Sequence, residues 1–346
     1  MRKSKPTAGK LPTIGRKRST VSAENLVTTS YLNPEQLLPL VIEPAVEGVD
    51  LIEWSRNNLE WIEEELAKHG GLLFRNFNLR TAEEFGDFLQ GFAGGALEYK
   101  ERSSPRSQVS GNVYTSTDHP PTESIFLHNE QSYNLTFPMK IVFFCTIPAQ
   151  EGGETPIAST RNLFQRLPAE LRDPFIEKGY LYVRNFGDGF GLSWQSAFQT
   201  DDPAVVEKYC QDNEIEFEWK EGNRLRTRQR RRAVVQHPRT GEMIWFNHAT
   251  FFHVTTLRSE VREMLLREFS EDELPNNTYY GDGTPITNEV MEQLRDAYHK
   301  ETITFPWQRG DLLLLDNVTV AHGRAPFVAP RQIIVGMAEP RRWEEF

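Results

Sequence analysis

A histidine and a glutamate two positions apart are the first residues of this chain that could do chemistry together. His128 and Glu130 lie in segment 126–130, whose composition favours a β-strand. Residues two apart in a strand point to the same face of the sheet, so this imidazole and this carboxylate can approach one metal ion together. Such a pair also occurs by chance in many chains, and a metal site needs a further ligand.

The third ligand is predicted to be His322. It follows an apolar run, residues 312–315, that predicts a buried strand, and the chain turns between the run and the histidine. Two imidazoles and one carboxylate leave three positions open on an octahedral ion, and iron needs these positions to bind a chelating cosubstrate and oxygen. A structural zinc site would instead be closed by four protein ligands. His128, Glu130 and His322 therefore predict an iron(II) site.

A threonine and an arginine could bind the far end of a dicarboxylic cosubstrate. 2-Oxoglutarate can chelate iron through its keto acid end, and its distal carboxylate needs a buried partner, which a guanidinium provides best. Arg331 begins a strand-like segment shortly after His322. The turn 151–156 contains paired glycines, which let the backbone run close to a ligand, and Thr155, whose hydroxyl can donate to the same carboxylate. Taken singly, these are also the residues of an exposed strand end and of an ordinary loop.

In this order and spacing, these segments resemble the TauD/TfdA (taurine dioxygenase-like) family. The resemblance covers roughly residues 60 to 340 and rests on His128-Asn129-Glu130, the turn Gly152-Gly153-Glu154-Thr155, the segment from Asp316-Asn317 to His322-Gly323-Arg324, and Arg331. It implies a mainly β fold with flanking helices, a double-stranded β-helix or jelly roll. It also implies that His128, Glu130 and His322 bind iron(II), and that Thr155 and Arg331 bind the distal carboxylate of 2-oxoglutarate.

Two further segments, 182–187 and 240–248, resemble the syringomycin-protein (SyrP-like) branch of this family, which includes hydroxylases of amino acids on peptide-synthetase pathways. The chain departs from the family at two positions. Most members have Asp where Glu130 stands, and Glu offers the same carboxylate on one more methylene. Several have a second arginine where this chain has Val335, so the partner of the iron-bound carboxylate of 2-oxoglutarate is not identified.

The resemblance implies hydroxylation of an aliphatic C–H bond of a small molecule, with oxygen as the second cosubstrate. Related halogenases replace the carboxylate ligand with a small residue, so Glu130 favours hydroxylation over halogenation. Desaturation, epoxidation and ring closure stay open, because they depend on substrate placement. Two other classes also stay open: a jelly-roll protein that binds a divalent ion without turning over 2-oxoglutarate, and a cupin-type isomerase or metal-only dioxygenase. Neither class needs Thr155 or Arg331.

Three polar residues are predicted to contact the substrate. Arg184 and Asn185 lie between strand-like runs, and Asn247 ends another run. An arginine in the pocket would suit an amino acid or another carboxylate. A salt bridge at the protein surface is an equally good interpretation of Arg184.

One stretch reverses the acidic character of the chain. It holds Arg224, Arg226, Arg228, Arg230, Arg231 and Arg232. In a strand the even-numbered arginines would share a face. That face could dock an acidic carrier protein bearing the substrate, whereas a sheet edge protected from aggregation by its charge is the simpler interpretation.

The remaining histidines are predicted to be structural or superficial. His248 and His253 share one segment, but the spacing is wrong for a zinc protease and no glutamate follows His248 as the H-E-x-x-H motif requires. Hydrogen-bonded histidines in the core or at a pocket rim are the simpler interpretation of both.

These side chains must be positioned by many short strands. Runs of β-branched and aromatic residues at 141–146, 179–186, 233–236 and 243–246 are bounded by Gly, Pro and Asn, which favours a barrel or double-sheet roll. Helical periodicity predicts a helix from residue 51 that ends at Gly70-Gly71, a strand over 72–77 and a helix over 83–92; further helices are predicted over 161–178, with a break at Pro168, and over 203–213.

The bulk composition excludes several classes of protein. The formal net charge of −10 argues against a nucleic-acid or acidic-membrane binder. The two cysteines have neither disulfide-framework nor zinc spacing, and no apolar stretch is long enough to span a membrane or to form a signal peptide. We therefore expect a cytoplasmic protein. Residues 1–23 hold seven basic residues and no acid, which predicts a disordered tail before a single catalytic domain over 24–346.

Overall fold

The computed structural model describes residues 26–95, 101, 107–115, 119–187 and 189–346. The predicted basic tail, residues 1–23, lies outside the described residues, and the single domain over 24–346 stays a prediction. The strands are β1 (Val27–Asn33), β2 (Gln36–Pro44), β3 (Gly71–Phe74), β4 (Gln108–Ser110), β5 (Val113–Thr115), β6 (Ile125–His128), β7 (Thr136–Ile147), β8 (Glu151–Gly152), β9 (Ile157–Ser159), β10 (Tyr180–Phe186), β11 (Ile215–Lys220), β12 (Arg224–Arg231), β13 (Val234–Gln236), β14 (Met243–Trp245), β15 (Asn276–Tyr280), β16 (Thr302–Ile303), β17 (Leu312–Asp316), β18 (Val320–Arg324), β19 (Phe327–Val328) and β20 (Gln332–Arg342).

The helices agree with most of the predicted ones. They are α1 (Leu51–Asn57), α2 (Leu59–His69), α3 (Ala82–Ala93), α4 (Thr160–Arg166), α5 (Ala169–Lys178), α6 (Trp194–Phe198), α7 (Pro203–Asp212), α8 (Ala249–Phe252), α9 (Ser259–Glu268) and α10 (Asn288–Glu301), with short 3-10 turns at Val254–Thr256, Glu271–Glu273 and Trp343–Glu345. No helix among the described residues is both long and apolar enough to cross a membrane.

The helix predicted from residue 51 ends before Gly70, as expected, but it is not continuous. Asn58 separates α1 from α2, because its side-chain Nδ2 donates a 2.7 Å hydrogen bond to Trp54 O and its backbone leaves helical geometry with φ −129°. The strand predicted over 72–77 is also shorter than expected. It ends at Phe74, and Asn76 adopts a positive φ of 64° that a strand cannot contain.

A sheet of eight strands has the order β1-β2-β3-β17-β7-β20-β5-β4. Its central strand β17 is the predicted apolar run, and every residue of it is buried. Alternate leucines point to opposite faces: Leu312 and Leu314 pack with α1, α2 and α3, whereas Leu313 and Leu315 pack with residues of the second sheet.

The second sheet has the order β16-β9-β18-β6 and packs against the first through a common apolar core. Ile157 of β9 and Val320 of β18 meet Phe143 of β7 in that core. Two facing sheets flanked by helices confirm the predicted mainly β, jelly-roll fold. The space between the sheets contains the candidate site.

A third sheet, β11-β12-β10-β15, contains the arginine-rich stretch, and Ala158 and Ala321 of the second sheet share another apolar core with Tyr180 and Tyr182 of β10. The strands predicted over 141–146, 179–186, 233–236 and 243–246 are confirmed as parts of β7, β10, β13 and β14.

Candidate active site

Two of the predicted metal ligands face each other across antiparallel strands. His128 ends β6, His322 lies in the middle of β18, and the two residues are direct partners in the register of this pair. Their ring centroids are 4.5 Å apart, and Glu130 Oε2 lies 3.8 Å from His322 Nε2. One ligand atom from each of the three residues lies within 4.8 Å of the other two. The structure therefore brings the predicted triad together.

The orientation of His128 suits a metal ligand. Its Nδ1 lies 2.9 Å from Phe126 O. A carbonyl oxygen can only accept, so Nδ1 carries the proton and Nε2 carries the lone pair that a ligand needs. Two imidazoles and one carboxylate, all largely buried, are a donor set that fits iron(II) and leaves positions for further ligands.

Asn317 connects the two parts of the triad. Its Oδ1 accepts a 2.7 Å hydrogen bond from the backbone N–H of Glu130, and its Nδ2 donates a 2.9 Å bond to Glu130 O. The neighbouring Asn129 donates in turn to Asn317 O at 2.7 Å. The turn that leads from β17 to His322 is thereby fixed to the segment that bears Glu130. Both asparagines belong to the motifs recognised in the sequence, but those motifs indicate no role for either of them.

The two residues predicted to bind 2-oxoglutarate lie in the same region. Thr155 is buried just before β9, and Arg331 is half-buried just before β20. The Nε–H of Arg331 donates to Gly153 O at 2.8 Å. Gly153 has a φ of +74°, and a Cβ at this position would lie 2.8 Å from Arg331 Cδ. Glycine is therefore required here both by the backbone and by the closeness of the arginine.

Burial lowers the pKa of Arg331 without removing its charge. Desolvation, with repulsion from Arg324, lowers the pKa of Arg331 to about 10, which leaves its guanidinium protonated at neutral pH. A carboxylate placed beside this guanidinium would offset the cost of burying it.

A cavity of about 330 Å³ joins the two histidine ligands to these two residues. Its lining includes His128, His322, Thr155 and Arg331. The rest of the wall is mostly apolar or weakly polar, and includes Ile125, Phe126, Phe143, Phe251, Phe252, Leu257, Thr256, Ser124 and Asn276. One cavity is thus lined by two of the metal ligands, a cation for a carboxylate, and an aromatic surface for a further molecule.

Arg324 lines this cavity and fixes the neighbouring segment 119–123. The sequence motif that contains Arg324 did not indicate this role. It is 4% exposed and donates to the carbonyl oxygens of His119 at 2.8 Å, Pro120 at 2.6 Å and Glu123 at 2.8 Å. Burial lowers the pKa of Arg324. Because strand alternation places Arg324 on the same side of β18 as His322, the metal ligand and the wall are fixed by one strand.

Arg184, predicted to contact substrate, is not among the residues that line the cavity. Its guanidinium lies over the Phe186 ring, 4.5 Å from the centroid, and its Nη1 is 3.9 Å from Glu101 Oε1. Burial raises the pKa of Glu101 although Arg184 opposes that effect. These contacts support a packing role, and the predicted substrate contact stays a prediction.

Asn185 and Asn247 also lie outside the cavity lining. Asn185 donates to Asp272 O at 3.0 Å and to Leu274 O at 2.7 Å. Asn247 donates to Ala233 O at 2.9 Å. Each amide thus binds backbone carbonyls of the fold, and their predicted substrate contacts stay predictions as well.

The two histidines of segment 247–253 are buried and hydrogen-bonded, as expected. His248 Nδ1 lies 2.6 Å from Ser132 Oγ, and the His248 ring is 5.4 Å from that of His128. His253 Nδ1 accepts from the backbone N–H of Thr255 at 3.3 Å.

The chain is similar to known proteins over most of its length. The family model described as "Taurine catabolism dioxygenase TauD, TfdA family" matches residues 34–338, which include the triad, Thr155 and Arg331. The chain belongs to the TauD/TfdA family. It is therefore a dioxygenase that uses iron(II) and 2-oxoglutarate.

Individual relatives agree with this membership. This chain is 40% identical over 279 residues to the dapdiamide synthesis protein DdaC of Enterobacter agglomerans, and the match covers 81% of this chain and 85% of DdaC. It is 29% identical over 321 residues to a clavaminate synthase-like protein of Arabidopsis thaliana, covering 87% and 93% of the two chains. The crystal structure of PvcB from Pseudomonas aeruginosa shares the fold, with a TM-score of 0.55, 19% identity and coverage of 94% and 95%.

Proposed function

We propose that this dioxygenase hydroxylates an aliphatic C–H bond of an amino acid or amino-acid derivative, with its iron bound by His128, Glu130 and His322 and its 2-oxoglutarate by Thr155 and Arg331. One observation carries the proposal. Two of the three metal ligands, His128 and His322, line the same cavity as the half-buried guanidinium of Arg331, so a keto acid can reach both with its two ends.

The protein's contribution is binding and orientation. Bound iron(II) and 2-oxoglutarate supply the oxidation, in which oxygen converts 2-oxoglutarate to succinate and carbon dioxide while one oxygen atom enters the substrate. Arg331 and Thr155 fix the distal carboxylate, and the triad leaves the coordination positions that this chemistry needs. No residue of the chain has to act as an acid or a base.

We place the substrate against the aromatic part of the cavity. Phe251, Phe252 and Leu257 offer apolar contacts, and Asn276 offers hydrogen bonds. The similarity to a dapdiamide synthesis protein supports an amino-acid derivative of secondary metabolism as the substrate, and the segments 182–187 and 240–248 support the SyrP-like branch.

Only some arginines of the arginine-rich stretch are exposed enough to dock a carrier protein. Arg226 is buried and donates to Asn185 Oδ1 at 2.7 Å, so it belongs to the fold. Arg230 is exposed, and the Arg228 side chain is 37% exposed with Glu218 3.9 Å away. We propose that a carrier bearing the substrate would dock against Arg228 and Arg230 on the outer face of β12.

Charge reversal tests this docking. Arg228→Glu with Arg230→Glu is expected to raise the KM for a carrier-bound substrate and to leave the KM for 2-oxoglutarate unchanged. Lys68→Glu, on the exposed surface of α2, is the control. An unchanged KM for the carrier-bound substrate would contradict docking against Arg228 and Arg230.

We also propose the cytosol as the compartment. Cys145 and Cys210 are both buried as free thiols, as a reducing compartment allows.

The decisive test is an anaerobic titration of 2-oxoglutarate into the iron(II)-loaded protein, followed by the visible charge-transfer band of a chelated keto acid. We expect the band in the wild type and its loss or weakening in Arg331→Ala and in His322→Ala. Bound iron without a band would favour a metal-binding jelly-roll protein or a cupin-type enzyme that does not use 2-oxoglutarate.

A further inference from the structure

The hydroxyl of Thr155 has a buried hydrogen-bond donor behind it. Trp307 Nε1 lies 3.1 Å from Thr155 Oγ, and the two residues are 8% and 2% exposed. An indole N–H can only donate, so Thr155 Oγ accepts this bond. The proton of the Thr155 hydroxyl must then be directed to a different acceptor.

The direction left to this proton matters because Thr155 lines the cavity together with Arg331. A hydroxyl that accepts from one side donates best towards the other sides of its oxygen. The distal carboxylate of a ligand bound to Arg331 is an acceptor in that position. Trp307 therefore orients the hydroxyl towards the ligand before the ligand arrives, which reduces the cost of ordering on binding.

The backbone on both sides of Trp307 is attached to a buried ion pair. Arg75 binds Asp311 through two hydrogen bonds of 3.0 and 2.7 Å, and the Asp311 side chain is 1% exposed. The residues on both sides of Trp307 attach to this pair: Arg75 Nη2 donates to Pro306 O at 3.1 Å, and the backbone N–H of Gln308 donates to Asp311 Oδ2 at 2.8 Å. The segment that bears the indole is thus held on either side of it.

We propose that Trp307 is a positioning residue for the distal carboxylate of 2-oxoglutarate, acting through Thr155 and held in place by the Arg75–Asp311 pair. The inference rests on the proposed binding of 2-oxoglutarate by Thr155 and Arg331. Trp307 does not line the cavity, so it acts on the ligand only through the threonine hydroxyl.

The test compares two keto acids that differ at the distal end alone. 2-Oxopentanoate has the same chain as 2-oxoglutarate, with a methyl group in place of the distal carboxylate. Dissociation constants for both are measured by anaerobic absorbance titration of the iron(II)-loaded wild type, Trp307→Phe, Thr155→Val and the double variant. Trp343→Phe is the control, since Trp343 is 6% exposed and its Nε1 donates to Asn134 O at 2.9 Å, in a different core cluster.

Loss of one oriented hydrogen bond is expected to weaken 2-oxoglutarate binding about two- to tenfold in Trp307→Phe. Binding of 2-oxopentanoate should not change, and Trp343→Phe should bind both keto acids as the wild type does. In the Thr155→Val background, Trp307→Phe should cause no further loss, because the hydroxyl it orients is absent.

Three results would overturn the inference while leaving the proposed function intact: unchanged 2-oxoglutarate affinity in Trp307→Phe, equal weakening of both keto acids, or full additivity in the double variant. A wild type that binds iron but no 2-oxoglutarate would overturn the proposed function, and this outcome is separate from the other three.

Discussion

The side-chain amide of Asn317 binds both backbone polar groups of Glu130, its N–H and its C=O. A third bond, from Asn317 Nδ2 to Pro138 O at 2.8 Å, attaches the same amide to β7. One buried side chain therefore sets the distance between the carboxylate ligand and the strand that bears His322. This arrangement leaves little freedom in the triad before a metal binds, which favours metal affinity.

Replacing Asn317 should weaken metal binding. Asn317→Ala removes two hydrogen bonds to Glu130 and one to Pro138 but no metal ligand, and we expect an about 10- to 100-fold loss of iron(II) affinity, as is usual for outer partners of ligands. Metal titration of the purified protein measures this loss. Asn247→Ala is the matched control, because Asn247 also binds backbone groups in the core, those of Ala233 and Ala249, and none of a metal ligand. Equal metal affinity in both variants would show that Asn317 acts on stability alone.

Gly153 is expected to control the position of Arg331. In Gly153→Ala the new methyl group would lie 2.8 Å from Arg331 Cδ and 2.9 Å from Ala149 Cβ, so the arginine must move. We expect an about tenfold or greater loss of 2-oxoglutarate affinity, the scale of a displaced charge-assisted hydrogen bond.

A control separates this effect from backbone strain. Gly222 has a φ of +76°, against +74° at Gly153, and nothing lies within 4 Å of its Cβ position. Gly222→Ala should lose stability by about 1 kcal/mol from the left-handed backbone and should keep the affinity for 2-oxoglutarate. Wild-type affinity in Gly153→Ala would contradict the assignment of Arg331 as the carboxylate ligand.

Local periodicity predicted part of the site: the apolar run of β17 locates His322 after a buried strand, and His128 lies on a strand that pairs with β18. The strand predicted over 126–130 ends at His128, so Glu130 reaches the site from the following turn, held by Asn317, and not through strand alternation. The parts that the sequence did not indicate depend on side chains that reach across the fold. Trp307 and Thr155 are 152 residues apart in sequence, and Arg324 and His119 are 205 apart. In each pair, the sequence around one residue does not indicate the residue that it bonds.

The exposure of the arginines in the arginine-rich stretch could not be predicted from the sequence either. Alternation correctly predicts which arginines share a face of β12, but it does not predict what covers them. Arg226 is buried beneath residues near Asp272, and Arg231 on the opposite face donates to Tyr133 O at 2.8 Å. Charge counted along the sequence therefore overestimates the basic surface of this strand.

Arg184 allows a direct test between a packing role and a substrate contact. Arg184→Met keeps much of the contact with Phe186 but removes the cation that acts most strongly on the buried Glu101 carboxylate and leaves only the weaker effect of Arg231. We expect a loss of about 3 kcal/mol in the free energy of unfolding, with substrate KM unchanged. Adding Glu101→Gln should recover part of the stability, because the buried charge is then removed as well. A raised KM at wild-type stability would instead support the substrate contact.

His253 should make the fold sensitive to mild acid. Burial, with a contribution from Arg295, lowers the pKa of His253 to about 4 from its usual 6.5, and its Nδ1 accepts from the N–H of Thr255. The unfolded chain binds this proton near pH 6.5 and the folded chain only near pH 4, so stability is lost as the pH falls through that window. The loss is on the order of 3 kcal/mol.

Denaturant unfolding of the metal-free protein from pH 7 to pH 4 measures this loss, and the metal-free form is used because metal binding is itself pH-dependent. His253→Asn keeps an acceptor for the Thr255 N–H but cannot take up the proton, so its stability should fall less steeply over this range. Leu265→Ala, in the core cluster that contains Val254, is the control: it should lower stability at every pH and retain the wild-type slope. Parallel slopes for His253→Asn and the wild type would assign the acid sensitivity to other groups.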